Sequence, residues 1–389
     1  MDSVTDKKNL FISSCISLIV TALSFGLRAG FIESWKADFA LTNEQTGWIT
    51  GTAFYGFTLA MIFGGPLCDV IGLKRIIYIA FTGHLAGIVL TIFANDFWTL
   101  YISTLFIGIA NGMVEASCNP LIATIYSGEK TKMLNRFHMW FPGGIVIGGL
   151  LGYFLGQMGI SWRMQMLVML LPTMAYGAMF FRLQFPVTER VASGVSTGDM
   201  FKACLSPLFI FMILCMFITA STELGTGQLI STLLGGTGVS PMLVLVFING
   251  IMMVGRTYAG EFVHKVSPAG MLLFSAVFST IGLFGLSFAT GYATFGAALI
   301  FAIGVCFFWP TMLSFVAEYL PKTGALGLSL MGGAGMLSVS FVLPVLGSLL
   351  DNQSGADTLR GFALLPAALI LLFAGLFVYS KKLTPSSHA

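Results

Sequence analysis

Charge is what this chain has least of. Asp, Glu, Lys and Arg make up 9% of its 389 residues, hydrophobic residues make up 56%, and the mean hydropathy is +0.91. Water-soluble domains carry about 25% charged residues, so an ordinary soluble fold is excluded. The apolar runs are continuous rather than alternating, which excludes a membrane barrel. Helices, which satisfy their own backbone groups in lipid, are the remaining solution. Cysteine is also sparse: Cys15, Cys68, Cys118, Cys204, Cys215 and Cys306 show no paired spacing, so neither disulfides nor a zinc site is expected. There is no phosphate-binding loop, no metal-ligand cluster and no nucleophile–base pair, and nothing points to an enzyme, a cofactor or a nucleic-acid partner.

The residues that are present organise the chain along a bilayer. A spanning helix needs about 20 mostly apolar residues. Segments 45–68, 203–222, 266–317 and 361–380 contain no Asp, Glu, Lys or Arg, and 266–317 has room for two spans with a turn near Gly291. Spans are predicted at 10–33, 45–68, 76–94, 97–125, 137–158, 162–182, 206–233, 242–264, 270–289, 292–318, 325–350 and 360–380, twelve in all. With that layout fourteen Lys and Arg residues fall on one side of the membrane and only Lys36, Arg163 and Arg360 on the other. The positive-inside rule then puts both termini in the cytoplasm. The first apolar stretch is too long for a signal peptide and reads as a retained helix.

Gln184–Lys202 is the most polar segment and lies at the middle of the chain. The predicted organisation is a six-helix half at 1–183, a cytoplasmic linker at 184–205 and a second half at 206–389. The halves repeat each other. Asn119-Pro120, Glu129 and Gly143-Gly144 correspond to Trp309-Pro310, Glu318 and Gly332-Gly333 at an offset of about 190, and Arg28-Ala29-Gly30 corresponds to Glu223-Leu224-Gly225. Parallel six-helix repeats are a transporter architecture.

A charge at the bilayer centre costs about 2.5–3.5 kcal/mol and marks a functional path by default. Arg28, Glu115 and Glu223 sit in such positions. Asn111, Glu115 and Asn119 are four residues apart and share one helix face. Burial disfavours the ionised form of a carboxyl group, so Glu115 is suited to bind and release a proton; the competing reading is a polar helix–helix contact. Arg28 offers a planar fork for a carboxylate, either to modulate Glu115 or to grip an anion, or else it snorkels to the outer interface. On span seven Thr219, Glu223 and Thr226 share a face, Gly225 and Gly227 permit a local break, and Gln228 lies a turn further on; Asn249 is a weaker candidate on span eight. His138 and Trp140 open span five, and Trp140 or Trp309 could stack on a sugar face or merely fill space. Gly144, Gly148, Gly152 and Gly156 form a ridge for close helix packing. His84 reads as a packing residue.

Two motifs carry resemblances. Gly65-Pro66-Leu67-Cys68-Asp69-Val70-Ile71-Gly72-Leu73-Lys74-Arg75 resembles the loop signature of the major facilitator superfamily, with a degenerate copy from Gly255-Arg256 to His264-Lys265. Asp69, Arg75, Glu129, Arg256 and Glu318 are the expected gating charges. Phe39-Ala40-Leu41-Thr42-Asn43, Gln45-Thr46-Gly47, Ala53-Phe54-Tyr55, Glu115-Ala116, Asn119-Pro120, Gly128-Glu129-Lys130 and Leu134-Asn135 resemble the fucose–proton symporter family of sugar permeases. That resemblance implies a twelve-helix, all-α fold, a central sugar site and proton coupling, with Glu115 as the span-four carboxylate, Asn119 beside it and a polar residue near His138. The family's first-span acid has no counterpart: Leu27-Arg28-Ala29 stands there. Arg28 instead looks like the first-span arginine of the organic-anion branch. The expected function is proton-coupled symport of a sugar or sugar derivative by alternating access, with substrate against Asn111, Asn119, His138, Trp140, Glu223, Gln228, Asn249 and Trp309. The alternative is transport of an organic anion such as a sugar acid. The expected partners are a small-molecule substrate, a proton or in its place sodium, and the lipid bilayer of a bacterial inner membrane, with the protein a monomer.

Overall fold

The structure is a computed structural model that describes residues 4–126, 130–186 and 197–382. Among these, all regular structure is helical. Eleven helical segments are long and apolar enough to cross a bilayer, and a shorter apolar helix lies at Pro241–Thr257. The chain is a multi-pass membrane protein. It divides into two compact units, Met1–Val195 and Ser196–Ala389.

In the first unit α1 (Val4–Phe39), α2 (Asn43–Ile71), α3 (Leu73–Ile92) and α4 (Phe97–Ile125) are followed by α5 (Lys130–His138), α6 (Trp140–Gln157), α7 (Trp162–Leu167) and α8 (Leu170–Arg182). Local chemistry sets the starts. Thr42 caps α2 through a reciprocal pair: its hydroxyl accepts from the Gln45 amide, and the Gln45 side chain accepts from the Thr42 amide. Asp96 caps α4 by accepting from the Thr99 amide at 2.7 Å, and these hydrogen bonds hold its carboxyl below the ordinary range. Gly72, with φ 87°, makes the one-residue corner between α2 and α3, a conformation that only glycine adopts cheaply.

The glycine ridge finds its partner in α1. A side chain on Gly144 would run into Ala22, and one on Gly148 would press on the Leu23 carbonyl. Gly26 on α1 answers it, since a Cβ there would meet the Ile145 carbonyl oxygen. The two backbones thus approach closely where lipid offers no hydrophobic drive, and dispersion holds them.

The second unit contains α9 (Thr197–Cys204), α10 (Pro207–Ala220), α11 (Pro241–Val266), α12 (Pro268–Leu286), α13 (Ala293–Val305), α14 (Phe308–Tyr319), α15 (Gly324–Asn352), α16 (Gly355–Phe362) and α17 (Leu364–Ser380). Gly291, at φ 56°, turns the chain between α12 and α13, dividing the long uncharged stretch into two crossings. Span seven does not break at Gly225 or Gly227. Its α-helix passes at Ser221–Gly225 into a π-helical turn, followed by short helical turns at Thr226–Gln228 and Ile230–Leu233.

Candidate functional site

The polar stripe on α4 splits between two environments. Asn111 is fully buried and saturated. Its Oδ1 lies 2.8 Å from His84 Nε2, and its Nδ2 donates to Ser24 Oγ at 3.0 Å. His84 in turn meets the Tyr176 hydroxyl through Nδ1 at 2.9 Å. This web ties α1, α3, α4 and α8 together.

One turn further, Glu115 faces a different set of partners. Its Oε2 accepts from Asn119 Nδ2 at 2.9 Å, and its Oε1 lies 3.9 Å from His138 Nδ1. The Glu115 side chain is 10% exposed and His138 is 37% exposed, so the cluster opens on the His138 side. Asn119 Oδ1 is buried and has no hydrogen-bond partner among the described residues. His138 ends α5 and Trp140 begins α6, with only Met139 between them; Trp140 packs partly against the core.

Arg28 is 4% exposed, so it does not reach a polar surface by extending its stem. Its guanidinium lies 4.8 Å from the centroid of the Phe25 ring, and it lines a small internal cavity of this unit.

In the second unit, Glu223 sits on the π-helical turn. A π turn widens the helix by one residue and is frequent at functional sites. Glu223 Oε1 accepts from Arg256 Nη2 at 2.8 Å, with side chains 7% and 15% exposed. Its Oε2 is buried without a partner among the described residues. Arg256 Nε also donates to the Cys306 carbonyl at 3.1 Å. That carbonyl is open for a sequence reason. Pro310 stands four residues on and has no N–H to donate back to it. The first unit repeats the arrangement: Pro120 leaves the Ala116 carbonyl open, and Cys68 Sγ donates to it at 3.4 Å.

The other candidates are more dispersed. Thr219 and Thr226 donate to the Met216 and Thr222 carbonyls on their own helix, the packing role. Gln228 is buried at 5% exposure, and Asn249 donates to the Leu245 carbonyl at 3.0 Å. The Trp309 ring packs close over Gly335. Among the gating charges, Arg256 belongs to the interior of α11 and pairs with Glu223 rather than forming a loop latch. Arg75 is exposed at the start of α3 and Glu318 is exposed near the end of α14. Asp69 lies near the end of α2, its side chain outside the described set, and Glu129 lies outside the described residues.

The sequence reading missed Lys74. Its Nζ donates to the carbonyls of Phe181 and Leu183 at 3.1 and 2.8 Å, capping the end of α8. A lysine at a helix C-terminus meets the negative end of the dipole. The signal was present as the basic residue following Gly72-Leu73.

The family model described as Major Facilitator Superfamily matches residues 14–322. The chain is 24% identical over 139 residues to a D-xylose transporter of Levilactobacillus brevis, covering 36% of this chain and 30% of that protein. It is 25% identical over 210 residues to a cis,cis-muconate transport protein of Acinetobacter baylyi, covering 52% of this chain and 50% of that protein. These matches thus span half or less of the relatives' lengths. Among solved structures, the partially occluded inward-open xylose transporter XylE from E. coli superposes with a TM-score of 0.79 at 13% identity, over 99% of both chains. That likeness is one of fold.

Proposed function

The chain belongs to the Major Facilitator Superfamily and is a transporter rather than an enzyme, and we propose that it moves a sugar or sugar derivative with a proton by alternating access. The observation that carries this reading is the Glu115–Asn119–His138 cluster. A protonated imidazole 3.9 Å from the carboxylate is worth on the order of 1–4 kcal/mol, the lower end in water and the upper at an effective dielectric near 20. Asn119 links that pair to substrate. While Glu115 is ionised, the Asn119 amide donates to it. When Glu115 takes up a proton, that hydrogen bond weakens and the amide is released to a sugar hydroxyl, for which its buried Oδ1 is a ready acceptor.

The D-xylose transporter among the relatives supports a sugar as substrate, and the lysine and arginine distribution supports a bacterial inner membrane with both termini in the cytoplasm. Purified protein in liposomes tests the reading. Glu115→Gln is expected to abolish accumulation driven by an inward proton gradient and to leave counterflow exchange measurable; full accumulation in the variant would remove Glu115 from coupling.

The second reading, transport of an organic anion, has two observations behind it: the buried guanidinium of Arg28 and the similarity to a muconate transport protein. Uptake confined to carboxylates, lost in Arg28→Gln, would favour it.

A further inference from the structure

Span seven is preceded by a separate short helix, α9 (Thr197–Cys204), whose sides meet different surroundings. Met200 and Cys204 are four residues apart, share one side, and are 6% and 7% exposed. Met200 packs on the turn that opens α15: a Cβ on Gly324 would stand 2.9 Å from its Sδ. Phe201 and Leu205, also four apart, mark the neighbouring side. They are 55% and 71% exposed, and the exposed Lys202 follows Phe201. A lone helix of this length is marginal in water, and the second unit supports it on the Met200 side while the Phe201 side stays bare. The chain fixes where that bare side lies. The Leu205 and Ser206 amides donate to the Lys202 and Ala203 carbonyls at 3.2 and 3.1 Å, so the chain turns tightly out of α9. Pro207 then opens the crossing Pro207–Gln228. The Leu205-Ser206 connection cannot carry the end of α9 more than about 10 Å from the start of that crossing. Exposed apolar residues resume within the crossing at Ile210 and Leu214, 48% and 60% exposed, where lipid tails as apolar as leucine surround the protein.

We propose that α9 is an interfacial helix docked on phospholipid, in the leaflet where span seven begins. Phe201 and Leu205 enter the boundary between headgroups and acyl chains, to a depth of about 5–10 Å. Lys202 runs its apolar stem beside them and sets its ammonium among the headgroup phosphates. The occupant is lipid because the bare side continues along the chain into the lipid-facing surface of span seven, and because the short connection holds α9 at the bilayer boundary. So docked, α9 keeps the start of span seven at a fixed depth. This surface holds no transported substrate, and the proposal stands whether or not the sugar reading does.

Spin labels test this in the full-length protein, held one copy to a nanodisc of phosphatidylcholine. The six native cysteines are buried, so a cysteine introduced by Phe201→Cys or Leu205→Cys takes the label selectively. Both positions are exposed, and neither substitution disturbs the packed side of α9. Oxygen concentrates among lipid chains and a charged nickel chelate stays in water, so relaxation by each reports which one surrounds the label. At both positions relaxation by oxygen is expected to exceed relaxation by the chelate several-fold, as at Leu214→Cys within the crossing. The order is expected to reverse at Gln353→Cys, an exposed position between α15 and α16. Chelate relaxation at 201 and 205 equal to that at 353 overturns the proposal, since water then covers the side. Protection from both agents also overturns it, since protein then covers the side, and with one copy to a disc that protein is this chain.

Discussion

Replacing Arg256 by Met is the perturbation whose size the structure fixes best. The guanidinium makes a 2.8 Å hydrogen bond to Glu223 with both side chains largely withdrawn from solvent, and a second bond at 3.1 Å to the Cys306 carbonyl. Glu223 Oε2 already has no partner among the described residues, so the variant leaves a buried carboxylate with neither oxygen held by Arg256. Breaking a buried ion pair from one side costs about 3–5 kcal/mol, and the orphaned carbonyl adds about 1 kcal/mol. A neutral hydrogen bond between membrane helices averages only about 0.6 kcal/mol, so the charge decides the size of the loss. The double variant Arg256→Met with Glu223→Leu removes the charge at both ends and is expected within about 1–2 kcal/mol of the parent. Adding Pro310→Ala to Arg256→Met supplies an N–H four residues after Cys306 and is expected to restore about 1 kcal/mol. Steric-trap unfolding in bicelles measures all four. An Arg256→Met variant within 1 kcal/mol of the parent, or a double variant no better than the single one, would refute the reasoning.

Four other outcomes are expected. Asp96→Ala exposes the Thr99 amide to faster hydrogen exchange. Because the Asp96 carboxyl titrates below its ordinary 3.8, its capping contribution is complete above that pH and fades as pH falls through the lowered value; Asp96→Asn removes that pH dependence. His84→Leu strands both Asn111 Oδ1 and the Tyr176 hydroxyl and lowers stability by about 2–5 kcal/mol in the same unfolding assay, with no selective effect on the proton dependence of uptake. Gly148→Leu forces α6 from α1 and is expected to reduce the yield of folded, monodisperse protein. Lys74→Met is expected to raise hydrogen exchange at the end of α8 without changing the apparent substrate affinity.

The crossings were legible because each is a long apolar run, and the turn at Gly291 because a residue free to take positive φ interrupts one. The glycine ridge gave close packing but not its partner, since spacing on one helix says nothing of which helix faces it. The α4 stripe shows the same limit. Positions four apart share a face, yet a turn of helix separates the web around Asn111 from the partly open cluster around Glu115. Gly255-Arg256 copies part of the first half's loop signature, yet like Gly65-Pro66 it lies within a helix, and two opposite charges in neighbouring spans meet there. The clue was their isolation, since a lone charge in an apolar run needs an answering one. The π turn had no signal, because nothing in Ser221-Thr222-Glu223-Leu224-Gly225 forbids an ordinary helix.

The two proline-opened carbonyls have a historical consequence. If one ancestral half was duplicated, each copy inherited a bare acceptor at the same place in its sequence. One copy filled it with a thiol and the other with a guanidinium. The thiol asks for no counterion, so that copy could keep its acid for another purpose. The guanidinium had to recruit Glu223. A backbone defect shared by twins thus gave evolution two independent places to install a charge, and the asymmetry of the modern protein follows from using only one of them that way.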